Sequence, residues 1–137
     1  MRLAERIGSK LRGGEVLELV SDLGGGKTTF VRGLAKGIGS NDLVRSPSFT
    51  LSNEYRSKDL TLYHFDFYRL QEPGIMRDEL AEALADSKSI IAIEWGDAVS
   101  DVLPADRLTI DIKTTGPDSR SLVLGCPEEL EYLTSNT

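Results

Sequence analysis

Only one of the 137 residues is a cysteine. Cys126 therefore has no partner within the chain for a disulfide, and a reducing compartment is the simpler setting. A nucleophilic role for it is not expected, because it ends the apolar run "SLVLGC" (121–126), where a buried thiol is the ordinary reading. Long hydrophobic runs are missing as well: no stretch approaches the roughly 18 apolar residues of a membrane span. The opening "MRLAERIGSKLRGGE" is charged throughout and holds no apolar signal segment, which points to the cytoplasm and to no membrane role. Positive charge is scarce, with 16 Lys and Arg against 22 Asp and Glu and a formal net charge of −6. An acidic chain repels polyanions as a whole, so direct binding of RNA requires a local basic patch. Arg45, Arg56, Lys58 and Arg69 are scattered and read as solvated surface. Repeats, low-complexity tracts and interior linkers are absent. The length suits one domain over 1–137, with a polar tail from about 134.

Along the chain, Leu3, Ile7 and Leu11 recur every four residues and predict a short helix ending at Gly13 and Gly14. "EVLELV" (15–20) reads as a strand aimed at a glycine cluster, and Phe30, Val31, Leu34, Ala35 and Ile38 follow at helical spacing up to Gly39. "FTLSNEY" and "LTLYHFDFY", joined by "RSKD", predict a hairpin, since so short a connection cannot cross over to a parallel partner. Residues 72–86 read as a helix with Met76, Leu80 and Leu84 in register. "SIIAIEW" (89–95) is a near-continuous apolar run, as in a strand buried on both faces of a parallel sheet. "RLTIDIK" and "SRSLVLG" add two strands, and "PEELEYL" a short acidic helix. The pattern predicts an α/β three-layer sandwich: a mixed, mainly parallel sheet flanked by helices.

The chemistry concentrates in "SDLGGGKTTF" (21–30), which satisfies the phosphate-loop pattern except at its first position, where Ser21 replaces glycine. Successive backbone N–H groups must turn inward around the β-phosphate, and Gly24, Gly25 and Gly26 leave that path free of side chains. Lys27 is suited to bridging β- and γ-phosphate oxygens, Thr28 to offering its hydroxyl to Mg2+, and the following helix aims its positive end at the phosphates. Ser21 only closes the turn after the strand and is expected to be tolerated. A turn without a ligand is the alternative, but the placement between strand and amphipathic helix speaks against it.

Glu94 ends the apolar strand, where the Mg2+-side acid of such folds stands. A carboxylate there is excluded from the strand interior unless a cation offsets its desolvation. On "YHFDFYR", alternation puts Leu60, Leu62, His64 and Asp66 on one face, so His64 and Asp66 either orient the attacking water or the metal's water shell, or form a surface pair. In "SPSFT" (46–50), Ser46 and Ser48 supply hydroxyls and Pro47 stiffens a segment that in phosphate-loop hydrolases contacts the γ-phosphate.

With "DLGGGKTTFVRGL", "SPSFTLSNEY", "YHFDFYRL", "IEW" and "LPADRL" in this order, the chain resembles the TsaE (YjeE) family from about residue 3 to about residue 124. The family consists of small ATPases of bacterial tRNA threonylcarbamoyladenosine biosynthesis. The resemblance implies a P-loop fold that holds Mg-ATP through Asp22, Leu23, Gly24, Gly25, Gly26, Lys27, Thr28 and Thr29. It implies Thr28 and Glu94 at the metal, Asp66 and Lys27 in catalysis, and Ser48, Trp95 and Arg120 near the nucleotide. It further implies weak hydrolysis alone and action with TsaB and TsaD, through which tRNA is engaged indirectly. Ser21, Ser48 in place of a threonine, and a shorter lead before "LAERIG" depart from the family pattern. Three rivals stand beside it: a GTPase, for which Asn-Lys-x-Asp is absent; a small-molecule kinase, for which no lid insertion is evident; and an interaction module with little hydrolysis, against which Lys27, Thr28, Asp66 and Glu94 argue.

Overall fold

Alternation along the strands sorts the side chains into two layers. A computed structural model describes residues 2–21, 26–40, 52–66, 74–94, 101–116 and 119–134. In chain order these form α1 (Arg2–Lys10), β1 (Val16–Ser21), α2 (Lys27–Gly37), β2 (Ser52–Arg56), β3 (Thr61–Asp66), α3 (Gly74–Ala85), β4 (Ser89–Glu94), β5 (Leu108–Gly116), β6 (Ser119–Gly125) and a 3-10 helix (Glu128–Leu133). The sheet runs β2-β3-β4-β1-β5-β6. Its four inner strands are parallel, and β2 and β6 are antiparallel edges. The expected hairpin is β2–β3, and the continuous apolar run is β4, buried at all six positions.

Leu17 and Leu19 of β1, Leu62 of β3, Ile90 and Ala92 of β4 and Leu108, Ile110 and Ile112 of β5 face α2, whose Phe30, Val31, Leu34 and Ala35 cover them. The opposite parity, Val16, Phe65, Ile91 and Ile93, packs on Leu80 and Ala83 of α3 and on Leu103. Each of the Val, Leu, Ile and Phe side chains among them contributes about 1.5–3 kcal/mol relative to exposure, so register slips that turned them outward are strongly disfavoured.

α1 lies on α2 at a glycine contact. A Cβ at Gly37 would stand 2.4 Å from the Glu5 carbonyl oxygen and 2.8 Å from Gly8 Cα, so the two backbones approach more closely than any larger residue permits. Ile7 and Leu11 of the expected stripe are buried and Leu3 is half-buried.

Glu15 stands before the ladder rather than inside it. Its carboxylate accepts hydrogen bonds from the Arg12 and Gly13 N–H groups at 2.8 and 2.7 Å and from the Tyr132 hydroxyl at 2.5 Å. The acidic C-terminal segment is a 3-10 helix, not an α-helix; its buried residues Leu130 and Leu133 are three apart, the spacing that eclipses on a three-residue turn. Cys126 is half-buried. Arg56 and Lys58 are exposed as expected, with Arg56 paired to Glu54; Arg45 and Arg69 lie outside the described residues. Among the described residues no helix is long and apolar enough to cross a membrane.

Candidate active site

β3, β4 and β1 end side by side. Glu94, the last residue of β4, is in register with Asp66 on β3 and Leu19 on β1. Asp66 and Glu94 therefore project to the α2 face from neighbouring strands about 4.8 Å apart. Beyond Leu19 the chain leaves the sheet at Ser21 and re-enters the described structure at Gly26, whose φ of 97° is left-handed and suits a residue without a Cβ. α2 starts at the next residue. Its first turn has no side-chain cap and no acidic residue, so its positive end is not neutralised from within the helix.

Lys27 turns from that first turn toward β4. Its ammonium is 3.2 Å from Glu94 Oε1, and the imidazole Nε2 of His64 meets Oε2 of the same carboxylate. All three are buried: Lys27 is 7% exposed, Glu94 5% and His64 0%. Burial pushes the Glu94 carboxyl up, but the hydrogen bond and electrostatic attraction of His64 and the charge of Lys27 outweigh it and hold it below the usual carboxylate range. The site thus keeps a charged acid inside the protein by surrounding it with donors, as a buried ion requires.

Lys27 and Glu94 are brought together, Asp66 stands half-buried in register with Glu94, and Thr28 is half-buried and Thr29 exposed in the first turn of α2. Arg120 lies on β6 opposite Thr114, at the same end of the sheet as the loop but two strands from β1. Asp22, Leu23, Gly24, Gly25, Ser46, Pro47, Ser48 and Trp95 lie outside the described residues. His64 and Asp66 share a face, and full burial of His64 removes the surface-pair alternative. The pairing of Lys27 with Glu94 carries no local sequence signal, since it depends on how α2 seats over β4. A cavity of about 460 Å³ lies at the opposite end of β1, beside Glu15 and Tyr132, away from this cluster.

Residues 1–122 match the family model described as "Threonylcarbamoyl adenosine biosynthesis protein TsaE". The chain belongs to the TsaE family. It is 39% identical over 109 residues to the TsaE protein of Bacillus subtilis, covering 80% of this chain and 68% of that one. With the TsaE protein of Treponema pallidum the identity is 36% over 118 residues, 86% of this chain and 87% of the relative. Among solved structures, the crystal structure of YdiB from Bacillus subtilis superposes with a TM-score of 0.76 at 34% identity, over 96% of this chain and 82% of that one. The TsaE-family chain therefore has the P-loop NTPase-like fold that its glycine loop and buried parallel strand imply.

Proposed function

We propose that this protein is the Mg2+-dependent ATP-binding and ATP-hydrolysing member of the tRNA N6-threonylcarbamoyladenosine machinery, acting with TsaB and TsaD and reaching tRNA through them. The observation that carries the reading is the buried Lys27–Glu94 pair at the uncapped start of α2, in a chain of the TsaE family. A lysine paired with a carboxylate at that helix end is poised to exchange it for phosphate oxygens, which offer more negative charge and bind the helix N-terminus at the same time.

The donor set fits the implied metal. Thr28 and Glu94 offer hard oxygens of the kind Mg2+ takes, and these two residues would hold it. Among the described residues no group of three or more His, Cys, Asp and Glu is placed to hold a metal ion. When bound, Mg2+ neutralises charge developing on the β- and γ-phosphate oxygens. The protein's own residues do the rest. The amides after Gly26 orient the phosphates, Lys27 leaves Glu94 to bridge them, and Asp66, half-buried at the mouth, accepts a hydrogen bond from the attacking water and aligns it. A net charge of −6 suits docking on protein partners better than direct RNA contact.

Phosphate release from ATP and from GTP, measured with and without purified TsaB and TsaD, tests this reading. The expected result is slow release from ATP alone and a several-fold increase with the pair. Release from neither nucleotide under both conditions, or capture with a different assembly in co-purification, contradicts it.

A further inference from the structure

Glu94 is held by two partners of different origin. Lys27 comes from the first turn of α2 and contacts Oε1 at 3.2 Å; His64 comes from the sheet and contacts Oε2. Lys27 sits where phosphates compete for it. His64 does not: its ring is 0% exposed, on a strand hydrogen-bonded to β2 on one side and β4 on the other. Register explains the fit. Ala92 stands opposite His64, and its single methyl leaves space for the ring to reach the carboxylate one step further along the same face. A carboxylate only accepts, so Nε2 carries the proton it donates. The other ring nitrogen, Nδ1, is buried and has no hydrogen-bond partner among the described residues. Burying a polar ring that has one hydrogen-bond partner among the described residues costs more desolvation than burying an apolar side chain of the same shape. What the imidazole adds at this position is its hold on Glu94.

We propose that His64 is the positioning residue of this site: it keeps Glu94 aligned from the sheet side when Lys27 is drawn away to the phosphates. The role toward nucleotide rests on the ATP reading above, whereas the His64–Glu94 contact does not. His64 acts through the carboxylate's aim, its ring being fully buried.

The chain has one histidine, so ring 15N–1H spectra report His64 alone. The expected spectrum shows a proton on Nε2 in the ligand-free protein, still present when ATP is added without Mg2+, and a displaced ring resonance in Glu94→Gln. A ring spectrum identical in wild type and Glu94→Gln, or an Nε2 proton lost on adding ATP, overturns the proposal. In binding and turnover, His64→Phe should keep metal-free ATP affinity within about twofold and lose at least tenfold of both the Mg2+ enhancement of affinity and the rate at saturating ATP. His64→Gln, which returns a donor at similar reach, should recover most of both. A Phe variant with wild-type Mg2+ dependence, or one that loses metal-free binding equally, refutes positioning. Should the Phe variant not fold, the ring spectra and the Gln variant decide. A wild-type protein that binds no nucleotide sinks the ATP reading, while the ring spectrum still tests the contact.

Discussion

Replacing Glu94 by Gln separates the empty site from the loaded one, because the two respond in opposite directions. At 3.2 Å and an effective dielectric of about 20, the gross Lys27–Glu94 attraction is about 5 kcal/mol. Desolvation of two buried charges offsets much of it, and Gln keeps the shape and one acceptor, so the net loss is about 1–3 kcal/mol. In a chain of 137 residues roughly 4 °C of Tm follows each kcal/mol, giving a fall of about 4–12 °C. Metal-free ATP binding moves the other way: Lys27 no longer has to leave a carboxylate, and the phosphates meet one negative charge fewer. The affinity in EDTA should rise about three- to tenfold, equivalent to about 0.7–1.4 kcal/mol, while the gain on adding Mg2+ shrinks. The acid limb supplies a second reading. Glu94 has a depressed carboxyl, so its contribution is complete above the ordinary value of 4.5 and is lost as pH falls below it. Wild type should lose that increment on acidification and Glu94→Gln should not. Differential scanning fluorimetry and calorimetric titration in EDTA and in Mg2+ measure all three quantities. A Tm within about 1 °C of wild type together with weaker binding in EDTA would refute the pairing.

Gly37→Ala should destabilise by about 1–3 kcal/mol in urea unfolding despite alanine's better helix propensity, because the new Cβ would lie 2.4 Å from the Glu5 carbonyl oxygen; unchanged or increased stability would contradict the close helix crossing. Tyr132→Phe removes the hydroxyl 2.5 Å from Glu15 and should cost about 1–2 kcal/mol. Burial, the hydrogen bond to Glu15 and that residue's charge raise the Tyr132 phenol, with Arg12 opposing. Its contribution is therefore full below the ordinary value of 10 and lost as pH rises beyond it; a pH series of unfolding curves should show an alkaline loss in wild type that is smaller in the Phe variant. Asp66→Ala should leave ATP affinity within a few-fold and lower single-turnover hydrolysis at least a hundredfold; collapse of affinity would contradict the proposed role of Asp66 at the water.

Much of the fold was legible because its signals are local. The apolar run over 89–95 specified a strand buried on both faces, the four-residue "RSKD" link specified a hairpin, and the 30-31-34-35 spacing specified the buried stripe of α2. The loop motif stands out for the same reason, since its glycines, Lys27 and Thr28 are contiguous in the sequence. What stayed hidden depends on distant segments meeting. Alternation put His64 and Asp66 on one face, but only the register of β3 against β4 sets His64 beside Glu94. Gly8 and Gly37 each look like ordinary helix residues until the two helices cross. Glu15 read as part of a strand, whereas Tyr132, 117 residues away, and the turn's own N–H groups claim its carboxylate. β5 runs on to Gly116, past the expected end at Lys113, because β6 supplies a ladder partner through a bulge between Thr114 and Gly116.

Calorimetric titration of wild type and Lys27→Ala with Mg-ATP tests the central claim most directly, with the far-ultraviolet spectrum and Tm confirming that the variant is folded. One site per chain in wild type and an affinity at least a hundredfold weaker in the variant, about 2.7 kcal/mol, is the result expected if Lys27 trades Glu94 for phosphate. Equal affinity in the two proteins would contradict it.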